Sequence, residues 1–220
     1  NDSRVCSKNS IFVGHKYVDD AFNKKATIID PKYASKLIRY FYNNPSNHYF
    51  VIGVTGTNAK TSITILLKEM LTRLGYRCIR LGTNYNEFDG KIEESSNTTM
   101  DLMYNLDVFL KYINKVDCII MEVSTHAIEE NRISFIQFDR IIYTNLSKEH
   151  LDYHKTMANY LDAKSKLFAD YLEENAPAVL NADDPCFESL KEMNKKTSTI
   201  YTILRVLAQQ LHRLQKHKTL

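Results

Sequence analysis

Gly56-Thr57-Asn58-Ala59-Lys60-Thr61-Ser62 follows the apolar run VIGVT and leads into the apolar-periodic stretch ILLKEMLTRLG. That layout is a strand, a phosphate-sized loop and a helix. A nucleoside triphosphate is held by backbone N–H groups aimed at its β-phosphate, a lysine reaching the outer phosphates and a hydroxyl on the magnesium ion, all at a helix N-terminus. Lys60, Thr61 and the Gly56-Thr57-Asn58 turn are the candidates for those parts, with Ser62 one residue further on. The loop departs from the pattern G-x-x-x-x-G-K-[ST] at Val54 and Ala59, which stand where the pattern has glycine. If the loop requires a positive φ at position 59, a methyl group there costs about 1 kcal/mol. Taken alone, the residues also describe an ordinary strand-turn-helix.

The elements around this loop have to aim it. Apolar stretches FVIGVTG, RCIRLGT, DCIIMEVS, FDRIIYTN and PAVLNAD alternate with helical periodicity near 61–74, 101–114 and 157–174. The alternation predicts a mostly parallel sheet flanked by crossover helices, an α/β fold. In such a sheet the loops at the carboxyl ends of the strands converge on the ligand crevice. One strand runs into Glu122, Ser124 and His126, a second into Asn145, Glu149, His150, Asp152 and His154, and a third into Asn181, Asp183 and Asp184. Upstream, IFVG and ATIID enclose the charged segment YVDDAFNKKA, a small strand-helix-strand pattern. A helical stretch at 32–43 and a turn-rich linker at 43–48 follow it.

Composition narrows the function classes. The 220 residues carry a net charge of +3 with lysines and acids interspersed, which argues against a nucleic-acid partner and for a solvated mixed surface. Cys6, Cys78, Cys118 and Cys186 lie far apart without a C-x-x-C pair, so neither a zinc site nor a disulfide framework is expected. A polar start and the lack of a run of roughly 18 apolar residues point to no stable membrane insertion and a cytoplasmic location.

Together, TGTNAKTS, the NTT at 97–99, MEVSTHAIEENRI, FDRIIYTNLSKEHLDYHKTMANYLDAKSKLF and VLNADDP resemble the Mur ligases, in this order and spacing. The likeness is strongest to the branch that adds the third amino acid of the peptidoglycan stem peptide. It implies a monomeric, ATP-dependent amide ligase. In such an enzyme the substrate carboxylate attacks the γ-phosphate, and an incoming amino group displaces phosphate from the resulting acyl phosphate. The substrates would be UDP-N-acetylmuramoyl-L-alanyl-D-glutamate and an amino acid, either diaminopimelate or lysine.

Residue by residue, the resemblance makes Lys60 the phosphate-loop lysine, within a cofactor-binding run from Gly56 to Ser62. It makes Thr61 and Glu122 ligands of a first magnesium ion, and His150 a ligand of a second. Lys164 matches a lysine that carbon dioxide carbamylates into an anionic metal ligand. Asn181 matches an adenine contact; Asn97, Thr98, Thr99, Ser124 and Arg132 match contacts to the sugar-nucleotide peptide. Near the start, DSR matches a uridine-binding segment in which Ser3 touches the nucleotide. Arg132 is suited to holding a carboxylate bidentately, and Glu130 beside it stands where close relatives often have glutamine.

The expected organisation is a shortened UDP-binding domain with linker over 1–46, an ATP-binding domain over 47–202 and an atypical helical tail over 203–220. The family's C-terminal ligase domain is expected to be absent. Two alternatives stay open: a ligase like folylpolyglutamate synthetase, which shares the phosphate loop and the carbamylated lysine, and a non-catalytic nucleotide-binding remnant.

Overall fold

The structure is a computed structural model that describes residues 3–13, 17–30, 33–88, 90–147, 157–193 and 200–201. The chain divides into two compact units, Asn1–Pro45 and Ser46–Leu220. In the first, a 3-10 turn at Ser3–Val5 precedes strand β1 (Ile11–Val13), helix α1 (Val18–Asn23), strand β2 (Thr27–Ile29) and helix α2 (Ala34–Phe41). β1 and β2 pair in parallel, Phe12 opposite Ile28. Their core is small: Phe12, Ala21 and Ala26, with Cys6 and Val18 against them.

A 3-10 turn at Pro45–His48 falls at the boundary, and the second unit is built on strands β3 (Phe50–Thr55), β4 (Cys78–Leu81), β5 (Asn84–Phe88), β6 (Lys91–Ser95), β7 (Cys118–Glu122), β8 (Arg140–Tyr143), β9 (Ala178–Leu180) and β10 (Ile200–Tyr201). Among the described residues their order in the sheet is β10-β9-β8-β3-β7-β4-β5-β6. Helices α3 (Lys60–Arg73), α4 (Leu102–Lys111), α5 (Thr125–Glu129), α6 (Met157–Tyr171) and α7 (Phe187–Met193) follow in chain order. None of the described helices is long and apolar enough to cross a membrane.

β3 lies centrally between β7 and β8, parallel to both, and is buried from Val51 to Thr55, as a strand covered on both faces must be. Ile52, Val54, Cys78, Cys118, Ile120 and Ile142 form one side of the core, closed by Ile63, Leu67 and Leu71 of α3. Val51, Ile119 and Ile141, fully buried, alternate to the other face. Register brings Val54 opposite Glu122, and Thr55 opposite Tyr143, which in turn faces Leu180. The chemically capable strand ends therefore share one edge of the sheet.

The hairpin β5-β6 is antiparallel and was not expected from the alternating pattern. NYNEFDGKIEES has too few apolar residues to stand out as two strands, although its Asp-Gly pair is a hairpin signal.

Candidate functional site

The loop after β3 owes its shape to glycine and to the residues just past β8. Gly56 has φ 143, and a Cβ there would meet Thr144 Oγ1 at 1.9 Å, so position 56 admits no side chain. Thr57 N donates to Asn145 O at 2.8 Å, Asn58 N to Asn145 Oδ1 at 3.0 Å, and Thr144 Oγ1 to Asn58 O at 2.7 Å. Ala59, the N-cap of α3, sits at φ 68 in the left-handed region. It offers no side-chain cap to the first amides of the 14-residue helix α3, which an anion can take up instead. Lys60 folds back across it, Nζ donating to Gly56 O at 2.9 Å and Thr57 O at 2.8 Å.

Glu122, at the end of β7, links the loop to the rest of the site. Both of its carboxylate oxygens are engaged. Oε2 accepts from Thr61 Oγ1 and Thr83 Oγ1, each at 3.0 Å; Oε1 accepts from Thr83 N at 3.0 Å and from Arg80 Nη2 at 2.7 Å. The Arg80 and Glu122 side chains are both fully buried. Arg80 also donates to Thr64 Oγ1 and Tyr85 O, and lies over the Tyr85 ring. Neither Arg80 nor Thr83 was singled out from the sequence; the signal for Arg80 was a cation inside the apolar run CIRL.

The network extends to the candidate substrate residues. Thr83 Oγ1, whose one proton is on Glu122 Oε2, lies 3.1 Å from the Thr98 hydroxyl, and buried Thr99 donates to Glu122 O at 2.9 Å and accepts from Ser124 N. Ser124 is the N-cap of α5, accepting from Ala127 N at 3.2 Å. Arg132 Nη1 donates to Thr99 O at 2.8 Å, while its Nε and Nη2 lie 2.8 and 2.6 Å from Glu130 Oε2. Asn97 is exposed on the loop after β6, its carbonyl accepting from Ser95 Oγ. Thr61, Glu122, Thr98, Thr99, Ser124 and Arg132 thus belong to one connected network.

Lys164 of α6 is 1% exposed, with its ammonium position 4.6 Å from the Tyr160 ring centroid. Burial, with the Lys60 charge as the second cause, brings its pKa down to about 7 from the ordinary 10.5. At pH 7 about half of this amine is uncharged, unlike a surface lysine. Tyr160 Oη lies 3.4 Å from Thr57 Oγ1, so α6 meets the loop after β3.

Beside the loop a cavity of about 230 Å³ is lined by Ala59, Ile63, Ile142, Tyr143, Val179 and Asn181, among others. The largely apolar lining suits a flat heterocycle. Asn181 stands at its rim with Nδ2 on Thr144 O and Oδ1 accepting from Asp183 N. Below it, buried Asp184 accepts from Tyr143 Oη, Leu146 N and Cys186 N, a clamp on the end of β8 that the sequence did not reveal. Burial and that carboxylate push the Tyr143 hydroxyl pKa upward.

His150 lies outside the described residues, and Ser3 begins the 3-10 turn of the other unit. Among the described residues no three His, Cys, Asp or Glu side chains cluster as a metal site. The oxygen donors at hand are instead Thr61, Thr83 and Glu122.

The sequence matches the Mur ligase middle domain over residues 54–216, a span that runs into the segment set apart above as a tail. It is 37% identical to the UDP-N-acetylmuramoyl-L-alanyl-D-glutamate–2,6-diaminopimelate ligase of Parabacteroides distasonis, covering 94% of this chain and 48% of the relative. For the same ligase of Clostridium botulinum the identity is 33%, covering 96% and 50%. The chain spans about half the length of the curated relatives it matches. Among solved structures, a ligase of the same name superposes with TM-score 0.74 at 24% identity, covering 91% of this chain and 47% of the other. Mycobacterium tuberculosis folylpolyglutamate synthase complexed with ADP superposes with TM-score 0.59 at 17% identity, covering 78% and 47%. Both likenesses are likenesses of fold.

Proposed function

The chain belongs to the Mur ligase family, and from that premise we propose that it is the ATP-binding part of a cytoplasmic amide ligase of peptidoglycan synthesis. The enzyme joins an amino acid, as third residue of the stem peptide, to UDP-N-acetylmuramoyl-L-alanyl-D-glutamate. The relatives named above specify 2,6-diaminopimelate as that amino acid. The observation that carries this reading is the connected network from the phosphate loop through Glu122 to Arg132. It joins a triphosphate cradle to a carboxylate-binding arginine.

In this reading the loop amides and the N-terminus of α3 hold the β- and γ-phosphates, and Lys60 exchanges the carbonyls of Gly56 and Thr57 for phosphate oxygens. The base occupies the cavity beside Ala59, with Asn181 at its rim. Arg132 exchanges Glu130 for the substrate carboxylate, so that binding replaces one carboxylate by another on the same guanidinium. The held carboxylate oxygen attacks the γ-phosphorus and ADP leaves. The amine of the incoming amino acid then attacks the acyl carbon, loses a proton and expels phosphate.

The donors Thr61 Oγ1 and Glu122 Oε2, 3.0 Å apart, fit a magnesium ion by type, being hard oxygens at the phosphate end of the loop. When bound, the ion offsets charge on the transferring phosphoryl group. Lys164, about half of it uncharged at pH 7, has the nucleophilic lone pair that carbamylation needs: its nitrogen bonds to the carbon of carbon dioxide and a proton is released, leaving an anionic carbamate. His150 is proposed as a further ligand on sequence grounds alone.

A titration of the full chain with ATP and magnesium tests the reading. Lys60→Ala is expected to weaken binding by about 10- to 100-fold, the worth of a charged hydrogen-bonding group on phosphate. Equal affinity in the two proteins would sink it.

A further inference from the structure

A buried arginine on the carboxylate that would hold the metal has consequences for that metal. The two oxygens of Glu122 are satisfied by different kinds of donor. Oε1 receives N–H groups of Arg80 at 2.7 Å and of Thr83 at 3.0 Å, whose hydrogens are fixed in direction. Oε2 receives only hydroxyls, from Thr61 and Thr83. A hydroxyl rotates and turns a lone pair toward a cation; an N–H has none to turn. Arg80 itself is anchored, with Nε on Thr64 Oγ1 at 3.0 Å, Nη1 on Tyr85 O at 2.7 Å and its Cζ 4.6 Å from the Tyr85 ring centroid. Gly82 completes the arrangement, since a Cβ there would come within 2.3 Å of Oε1.

We propose that Arg80 is a built-in counter-cation of Glu122. It closes Oε1 to metal, restricts the carboxylate to one-oxygen contact through Oε2, and cancels its charge. A divalent ion then meets an ion pair rather than a free anion, and the attraction that would retain it is largely offset. The negative charge the ion needs has to arrive with the triphosphate. The metal accordingly enters and leaves as the nucleotide complex, and the chain without nucleotide holds it weakly. Arg80 is a positioning residue, and the inference rests on the reading of Thr61 and Glu122 as metal ligands.

The test follows free manganese by electron paramagnetic resonance in titrations of the full chain without nucleotide, each variant being checked for folding by its melting curve. The wild-type chain and Arg80→Lys, which keeps the charge, are expected to bind weakly, short of saturation at about 1 mM. Arg80→Gln is expected to bind at least about tenfold more tightly, and Arg80→Gln with Glu122→Gln to lose that gain. Wild-type binding tighter than about 100 μM, or an Arg80→Gln variant no tighter than wild type, overturns the proposal; the wild-type titration decides even where Arg80→Gln does not fold. A gain that survives Glu122→Gln would instead remove Glu122 as the ligand. The nucleotide reading is judged separately by the Lys60→Ala titration with ATP.

Discussion

Ala59 holds a backbone conformation that its methyl group resists. At φ 68 it lies where an L-residue is strained and glycine is not. Sequence reading located the departure from the phosphate-loop pattern, and the structure shows that the loop keeps its left-handed turn regardless. Hydrogen bonds between Thr57 and Asn58 and the two residues that follow β8, Thr144 and Asn145, hold the segment in place. Ala59→Gly is therefore expected to raise unfolding free energy by about 1 kcal/mol, measured by urea denaturation. A lower stability in the glycine variant would mean the turn is not strained. Arg80 shows the opposite limit of sequence reading. A cation among Ile79, Leu81 and Cys78 reads as an irregular strand, because its partner Glu122 is 42 residues away and only the register of β4 on β7 brings them together.

At the level of elements, the parallel strands were legible because each is a short apolar run between helical segments, and burial on both faces erases the alternation that a half-exposed strand would show. The hairpin was not, since β6 is exposed at four of its five positions and stabilises no core. Nor was the clamp at the end of β8. Asp184 gathers Tyr143 Oη at 2.9 Å, Leu146 N at 2.8 Å and Cys186 N at 2.9 Å. It thereby fixes the strand end whose next residues, Thr144 and Asn145, shape the phosphate loop. Asp184→Ala leaves buried donors unpaired and is expected to cost about 2–4 kcal/mol, with weaker ATP binding as a consequence of the displaced loop. Calorimetry and an ATP titration together check this: lost stability with unchanged affinity would show that the clamp supports the strand and not the site.

For the molecule as a whole, the pH dependence of stability carries the signature of Lys164. Its folded pKa of about 7 lies below the ordinary 10.5. Below the lower value both folded and unfolded chains hold the proton. Between the two only the unfolded chain does, so the fold gains stability as pH rises through that window. In buffer freed of carbon dioxide, Lys164→Met is expected to be more stable than the parent at pH 7 by on the order of 4 kcal/mol, the gap closing toward pH 10.5. Parallel stability curves for the two proteins across that range would contradict it. Such a cost at neutral pH accords with the chemical role proposed for Lys164 rather than with a packing role.

The hairpin that escaped sequence reading also decides where the sheet stops. Among the described residues its outer strand, β6, is the edge of the sheet and presents Lys91, Glu93 and Glu94 as exposed groups around its one exposed apolar side chain, Ile92. A strand from another molecule approaching that margin would have to strip water from an ammonium and two carboxylates before its first backbone bond formed. The weakest-looking element of the fold is thus a guard against uncontrolled polymerisation, standing on the β4 side of a sheet whose remaining strands are, by composition, among the stickiest in the chain.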